Sequence, residues 1–476
     1  MNAKTDPALA GKRVTVIGLG RFGGGLGVTR WLCSRGARVT VTDRAPADKL
    51  ADSVAALAGL DVALHLGGHD ERDFVDTDLL VVNPAVDKAG HPQLQAAIRA
   101  GVRLTTEMNL FLERCPARIV GITGTVGKST TTAMAGEILR RKFTTHVGGN
   151  IGRSLLEELD TIGRGDVVVL ELSSFQLEDV AWVGISPHVA VVTNLAPNHI
   201  DRHGTLDAYA AAKKNIFRFQ RPEDVLVLNS ACELTRPWAK EARGRVEFFD
   251  GSLRGDETGA TIADCGLRIA DPQRMGDGQQ PRQSAIRNPK SEMPFELAVP
   301  GPHNQANAQA AWTAARQLGV DRPTAAGALK GFPGLPHRLA FVCQREGVRY
   351  FNDSKCTTPD GAIVAINSFP PRKAIIIAGG SDKHVSFDTL GAVLADKAKA
   401  VVAVGQTREQ IIAAVEGHRA GPAPVVVRAG DFPSAVAAAR GLAAPDDVVL
   451  LSPACASYDM FINYEKRGEM FVALVK

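Results

Sequence analysis

The sequence predicts an α/β protein of parallel sheets in three successive domains, and three observations carry that expectation. Short runs rich in Val, Ile and Leu lie at 13–17, 38–42, 79–82, 118–122, 166–170, 189–193, 373–378, 400–404 and 447–451, and Ala-rich helical stretches alternate with them. Most of the runs are apolar on both faces, as strands covered by helices on each side must be. Strand–helix alternation of this kind builds α/β domains. The pattern also restarts, giving units at 1–106, 107–334 and 335–476. A chain of 476 residues is too long for one ordinary core, so several domains are expected. The polar, aperiodic stretch 271–293, loaded with Gln, Arg, Pro and Gly, reads as a surface loop or extended hairpin connection.

Composition excludes several classes. Hydrophobic residues at 45% and charged residues at 22% make an ordinary globular balance. A net charge of +4 spread over this length argues against both a nucleic-acid protein and a membrane-surface protein. The seven cysteines (Cys33, Cys115, Cys232, Cys265, Cys343, Cys356 and Cys455) are dispersed and show no metal-type spacing. They read as reduced thiols of a cytoplasmic protein. The polar stretch 1–11 lacks the apolar core of a signal peptide, and no apolar run approaches a membrane span.

The most informative string is Thr123-Gly124-Thr125-Val126-Gly127-Lys128-Ser129-Thr130. It follows a predicted strand, and Ser129 is expected to open an Ala/Met/Leu-patterned helix. A strand–turn–helix aims backbone N–H groups and a helix dipole at a phosphate, with Lys128 reaching the β/γ-phosphates and Ser129 offering its hydroxyl to Mg²⁺. The general phosphate-loop pattern wants Gly or Ala at Ile122, so the match is to something narrower. The string resembles the T-G-T-x-G-K-[ST] loop of the Mur ligase and folylpolyglutamate synthetase superfamily. That family usually has Asn where this chain has Val126, so a side-chain contact is lost there while backbone cradling survives.

Further stretches of the second unit point the same way. Glu171, in Glu171-Leu172-Ser173-Ser174, ends a predicted strand where α/β proteins place ligands, and beside a phosphate loop it suits Mg²⁺. The string Asn194 to Arg202 is similar to N-x-x-x-D-H-x-D-R, with Asn198 in place of the usual Asp. The resemblance implies that His199 helps to hold a second magnesium and positions the acyl substrate. It further implies that Lys213, in Tyr209-Ala210-Ala211-Ala212-Lys213, is carbamylated and becomes a carboxylate-like metal ligand. Lys214 is the alternative for that role. A free ammonium could not ligate the ion. Gly301-Pro302-His303-Asn304-Gln305-Ala306-Asn307 looks like G-x-H-N-x-x-N; Asn304 and Asn307 offer amides suited to a purine edge, and capping the helix that opens there is their alternative role.

In the last unit, Leu335-Pro336-His337-Arg338 is similar to the L-P-H-R that starts the family's C-terminal domain. By resemblance Arg338 reaches the ATP phosphates, and Asp353, in Asn352-Asp353-Ser354-Lys355-Cys356-Thr357-Thr358, reaches the ribose. Cys356 and Thr358 replace the common Ala and Asn. Gly379-Gly380-Ser381-Asp382-Lys383 and Leu451-Ser452-Pro453-Ala454-Cys455-Ala456-Ser457-Tyr458-Asp459 match strings of the glutamate-adding branch. There Thr357, Lys383 and Ser457 would hold the two carboxylates of glutamate, with Tyr458 alongside and Tyr464 where Phe is common. Cations and hydroxyls are the chemistry a dicarboxylate needs. The D-N-P-[RK] motif of a diaminopimelate branch is missing.

Gly18-Leu19-Gly20-Arg21-Phe22-Gly23 reads as G-x-G-x-x-G after the first strand, with Asp43 ending the next. Alone it suggests NAD and an oxidoreductase. In the family the first domain is Rossmann-like and holds the UDP of a sugar nucleotide. Gly20, Arg21, Phe22, Asp43, Arg44, Asn83 and Asn150 occupy matching places, with His199 contributing to the same substrate. Asn83-Pro84-Ala85 stands where many relatives have Ser-Pro-Gly.

Taken together, the resemblance implies a central P-loop ATPase domain between two Rossmann-like ones. It implies ATP and a pair of magnesium ions, with UDP-N-acetylmuramoyl-L-alanine and D-glutamate joined in cell-wall precursor synthesis. The expected protein is a cytoplasmic monomer with no nucleic-acid or membrane partner. Another ligase of the superfamily, an NAD oxidoreductase and a non-catalytic nucleotide-binding regulator are the competing readings.

Overall fold

The computed structural model describes residues 6–19, 24–151, 154–250, 294–418, 421 and 423–476. Gly20, Arg21, Phe22, Gly23, the stretch 271–293 and Cys265 therefore lie outside the described residues. Three sheets carry three α/β domains. The first sheet contains β1 (Arg13–Ile17), β2 (Arg38–Asp43), β3 (Val62–Leu66), β4 (Leu79–Val82) and β5 (Arg103–Thr105), in the order β3-β2-β1-β4-β5. The second contains β6 (Arg118–Thr123), β7 (Thr145–Gly149), β8 (Val167–Glu171), β9 (Val189–Val192), β10 (Val225–Asn229) and β11 (Arg245–Phe249), in the order β11-β10-β9-β6-β8-β7. Every pairing in these two sheets is parallel. The nine predicted runs are all strands, with ends that shift by at most one residue.

The third sheet holds β12 (Ala340–Arg345), β13 (Val348–Asn352), β14 (Ala374–Ala378), β15 (Ala400–Ala403), β16 (Val425–Arg428) and β17 (Val448–Leu451), ordered β12-β13-β17-β14-β15-β16. Only β12, an edge strand joined to β13 by a two-residue turn, runs antiparallel. Strands β14, β15 and β17 are buried at every position, which is why their sequences are unbroken Ala, Val, Ile and Leu.

By compactness the chain forms two units, Met1–Phe249 with Ala310–Val320, and Asp250–Gln309 with Asp321–Lys476. In the first unit one buried cluster runs through both sheets, from Val14, Trp31 and Leu32 to Leu170, Ile216 and Leu228. In the second, separate cores pack on the two faces of the third sheet, around Ile376 and Leu450 on one and Ile375 and Val449 on the other.

Within the first unit, polar contacts fix the segment 83–91 that follows β4. Arg202 donates to the carbonyls of Pro84, Ala85 and Val86. Lys88 Nζ lies 2.6 Å from Asp179 Oδ1 and 3.1 Å from Glu178 Oε2. Asp179 is completely buried, and desolvation pushes its carboxyl up to about 6 even though Lys88 pulls the other way. A carboxyl raised in this way favours the folded state while protonated, and that contribution is lost as pH rises through about 6. Lys88→Met removes the opposing cation and extends the loss to higher pH. The substitution is expected to lower the urea midpoint more at pH 8 than at pH 5, by several kcal/mol at the higher pH as judged from broken buried pairs (~3–5 kcal/mol). Equal shifts at both pH values would contradict this account.

Candidate active site

The phosphate-loop string follows β6, at the point where the second sheet is built outward on both sides, to β9 and to β8. In open parallel sheets that crevice at the carboxyl ends of the strands is where ligands bind. Gly124 is required there, because a Cβ would collide with Thr193 Oγ1, and its φ of 149° disfavours any side chain. Gly127 adopts a left-handed φ of 83° and caps the helix Lys128–Leu139, which starts one residue earlier than the sequence suggested. The start of a helix presents backbone N–H groups and the positive end of its dipole, so this turn is a natural place for a phosphate.

Asn194 clamps this loop from the end of β9. Its Oδ1 accepts from the N–H groups of Thr125 (3.2 Å) and Val126 (3.0 Å), and its Nδ2 donates to the Val126 carbonyl (3.1 Å). Thr193 Oγ1 donates to the same carbonyl at 2.7 Å, and Thr125 Oγ1 donates to the Ala196 carbonyl at 3.1 Å. All contacts to residue 126 use backbone atoms, and the Val126 side chain is 58% exposed. The departure from the family's Asn thus leaves the clamp intact. Lys128 Nζ donates to the carbonyls of Gly124 (3.1 Å) and Thr125 (2.9 Å).

Lys213, on the helix Leu206–Arg218, is 1% exposed and donates to the Gly124 carbonyl at 2.8 Å and to Thr123 Oγ1 at 3.3 Å. Its pKa is held well below the lysine range, first by desolvation and then by the charge of Lys128, with Glu171 opposing. Lys214 instead turns outward to an ion pair with Glu241 at 2.6 Å. Burial therefore separates two adjacent lysines that the sequence left as alternatives.

Glu171 is the last residue of β8 and is 2% exposed. Its Oε1 accepts from Asn150 Nδ2 at 2.9 Å, and its backbone carbonyl accepts from Asn150 N. Its Oε2 is buried with no hydrogen-bond partner. A buried carboxylate oxygen left open is costly unless a cation or donor meets it, so this donor set fits a hard divalent ion. Among the described residues no group of three or more His, Cys, Asp or Glu could hold a metal by itself. An ion at Glu171 would need further ligands beyond this one carboxylate, such as phosphate oxygens and water. Asn150, expected at the sugar nucleotide, here orients Glu171.

His199 is exposed and adopts a left-handed φ of 53°, with its N–H donated to Asn198 Oδ1 at 2.9 Å. Asn supplies the same acceptor oxygen as the family's Asp. The His199 ring lies 5.1 Å from that of Phe175 and 6.4 Å from that of Tyr209. His203, which sequence reasoning passed over, stacks on Phe175 and hydrogen-bonds Ser174 Oγ at 3.0 Å. In the first sheet, Asp43 Oδ2 accepts from Leu19 N (3.0 Å) and Oδ1 from Ala45 N (2.8 Å), so it shapes the turn after β1. Arg44 is exposed, and Asn83 packs beside Gly18 at the switch between β1 and β4.

The second unit carries the remaining candidates. Asn304 and Asn307, on the helix Pro302–Arg316, are buried and bonded to each other at 3.2 Å, and Asn304 Nδ2 also reaches the Pro300 carbonyl. Arg338 is exposed, between His337 and Leu339, both with positive φ. Asp353 is buried, accepting from Leu339 N (3.1 Å) and Ser452 Oγ (2.8 Å), and burial pushes its carboxyl up to about 6. Thr357, Lys383 and Ser457 stand on the segments after β13, β14 and β17, three strands adjacent in the sheet. Lys383 and Tyr458 are exposed, and Ser457 is buried. Tyr464 opens the last helix, with Lys355 Nζ 5.6 Å from its ring centre.

A phosphate loop over a parallel sheet, with a buried acidic residue and lysine beside it, defines an ATP-dependent enzyme. Three domain models match the chain in order: a Mur ligase MurD-like N-terminal domain over residues 12–106, a Mur ligase middle domain over 122–315, and a Mur ligase glutamate ligase domain over 337–455. The chain is 42% identical over 467 residues to the UDP-N-acetylmuramoylalanine--D-glutamate ligase of Symbiobacterium thermophilum, with 98% of each chain covered. It is 41% identical over 473 residues to the protein of the same name from a Roseiflexus species, covering 98% of this chain and 99% of that one. The chain belongs to the Mur ligase family, whose members are ATP-dependent, amide-bond-forming ligases. Its fold is similar to that of UDP-N-acetylmuramate-alanine ligase MurC from Thermotoga maritima (TM-score 0.56, 19% identity, 97% and 98% covered). It is also similar to MurF ligase from Thermotoga maritima in complex with ADP (TM-score 0.56, 15% identity, 100% and 96% covered).

Asn194→Ala is expected to raise KM for ATP about tenfold, the loss of roughly one charge-independent hydrogen bond or two. Val126→Asn should change the same constant little, because the clamp is made to the backbone. Steady-state ADP release separates these, and a large effect at 126 with none at 194 would contradict the clamp.

Proposed function

We propose that the protein ligates D-glutamate to UDP-N-acetylmuramoyl-L-alanine with hydrolysis of ATP to ADP and phosphate, in peptidoglycan precursor synthesis. Likeness to D-glutamate ligases along 98% of the chain supports the substrate pair, and the site at the ends of β6, β8 and β9 supports the chemistry. The alanyl carboxylate attacks the γ-phosphate, the bond to ADP breaks, and an acyl phosphate forms. The neutral amine of glutamate then attacks the acyl carbon, and phosphate leaves as the amide forms, the amine proton passing to solvent.

Each step draws on a residue of this chain. Lys128 and the N–H groups of 124–130 stabilise charge on the transferring phosphoryl group. His199 positions the acyl substrate, and Arg338, Asn304, Asn307 and Asp353 complete the nucleotide contacts. Asp43, Arg44, Asn83 and the Gly20–Gly23 string are assigned to the sugar nucleotide. Thr357, Lys383, Ser457, Tyr458 and Tyr464 are assigned to glutamate. Glu171, Ser129, His199 and Lys213 would hold magnesium, which supplies Lewis-acid neutralisation of the phosphates.

The observation that carries the chemistry is Lys213, buried next to the loop, its pKa pushed well below the lysine range by desolvation and then by Lys128, near a Glu171 with an open carboxylate oxygen. A neutral amine is the form that adds to carbon dioxide, and the resulting carbamate turns a cation into an anionic oxygen ligand. We propose this modification at Lys213, in a monomeric, cytoplasmic enzyme. No helix among the described residues is long and apolar enough to cross a membrane.

Phosphate release with UDP-N-acetylmuramoyl-L-alanine is expected to be stimulated by D-glutamate and not by L-glutamate or diaminopimelate. Lack of stimulation by D-glutamate would reject the substrate assignment. Lys128→Ala should abolish turnover with the fold retained by circular dichroism. Depleting bicarbonate and carbon dioxide should lower the activity reversibly, and Lys213→Ala should remove both the activity and that dependence; a bicarbonate-independent wild type would reject the carbamate.

A further inference from the structure

Arg467, on the helix Tyr464–Val475, is completely buried. A guanidinium is rarely taken out of water without an acidic partner, because its desolvation outweighs ordinary neutral hydrogen bonds. Here every hydrogen bond goes to an uncharged oxygen. Nε donates to Ser354 Oγ (3.0 Å), Nη2 to the carbonyls of Ser354 (2.8 Å) and Cys455 (3.0 Å), and Nη1 to the carbonyl of Ala456 (3.3 Å). The nearby carboxylates have other partners: Asp353 accepts from Leu339 N and Ser452, and Asp459 from Ser381 Oγ and Gln406 N. Burial draws the Arg467 pKa down to about 10, so the group stays charged at neutral pH.

Those acceptors belong to the segments that carry the amino-acid candidates. Ser354 leads to Thr357 after β13, and Cys455 and Ala456 lead to Ser457 after β17. The Ala456 carbonyl also accepts from Ser381 N at 2.9 Å, which ties in the segment after β14 that leads to Lys383. A Cβ on Gly380 would stand 3.2 Å from Arg467 Nη1, so this segment passes directly over the guanidinium. Ser354 Oγ in turn donates to the Tyr464 carbonyl at 2.7 Å. One planar fork therefore holds two of the substrate segments directly and the third through the Ala456 carbonyl, with no carboxylate hydrogen-bonded to its charge.

We propose that Arg467 is a positioning residue for the amino-acid substrate, fixing the Thr357, Lys383 and Ser457 segments as one surface and making that surface favour a dicarboxylate over its mono-amide. The proposal rests on the reading that these segments bind glutamate. It requires no contact between Arg467 and the substrate; the charge acts through a dry, fixed environment where it is weakly screened.

Kinetics of the full-length enzyme test it with Arg467→Gln, Arg467→Lys, Arg467→Ala and Ser354→Ala, each checked by thermal melting. Arg467→Gln should raise KM for D-glutamate about tenfold or more, leave KM for ATP nearly unchanged, and narrow the preference in kcat/KM for D-glutamate over D-glutamine. Arg467→Lys should keep more of that preference, since the charge remains, while still raising KM. Added guanidinium ion should partly restore D-glutamate affinity in Arg467→Ala. If the arginine variants fail to fold, Ser354→Ala decides, with a smaller rise in the same KM expected. A parallel rise in all three substrate constants, or an unchanged glutamate preference, would reduce Arg467 to a fold residue and overturn the proposal. A wild type with no response to D-glutamate would instead overturn the substrate reading and this inference with it.

Discussion

The carbonyl oxygen of Gly124 accepts hydrogen bonds from two lysines, Lys128 and Lys213, and the first unit's chemistry is organised around that meeting. Two cationic side chains at one acceptor disfavour double protonation, and burial decides which gives way. Lys213 has lost its water and is depressed well below the lysine range, whereas Lys128 sits at the helix start with partial exposure. The loop is thereby flanked by two lysines in unlike settings, one at its rim and one buried beneath it, and only the buried one is pushed strongly toward losing its proton. The arrangement is possible only because Gly124 has no side chain and Thr193 can press against it.

The same division between exposed function and buried support recurs. Glu171 presents an open oxygen because Asn150 holds the other one. The phosphate loop keeps its backbone N–H groups in order because Asn194 and Thr193 clamp it from β9. In the second unit the exposed Lys383 and half-buried Thr357 stand on segments tied to a buried Arg467. A site that must present charge to a ligand is stiffened by hydrogen bonds to backbone carbonyls, which remain neutral at every pH.

The sequence was most legible where burial is complete. The nine runs are strands because parallel strands covered on both faces place apolar residues on both of them. The edge strands β3 and β16 are only partly buried, and β10, buried at every position, nonetheless lay outside the nine runs. The phosphate loop was equally plain, since glycines at 124 and 127 and the Lys-Ser pair obey local backbone rules. Asn194, Asn150 and Arg467 were harder. Each acts on groups distant in sequence, so nothing in its neighbours marks its role.

By itself the sequence determined the α/β class, nine of the seventeen strands, the phosphate loop and the likeness to a ligase family, because these follow from periodicity and short-range spacing. Only the tertiary structure decided between Lys213 and Lys214, which differ in nothing but the helix face they occupy. It also decided that Asn150 serves Glu171, that Val126 bears on the loop through its backbone, and that Arg467 is buried without an acid. Desolvation sets those outcomes, and desolvation depends on what packs around a residue rather than on what precedes it in the chain.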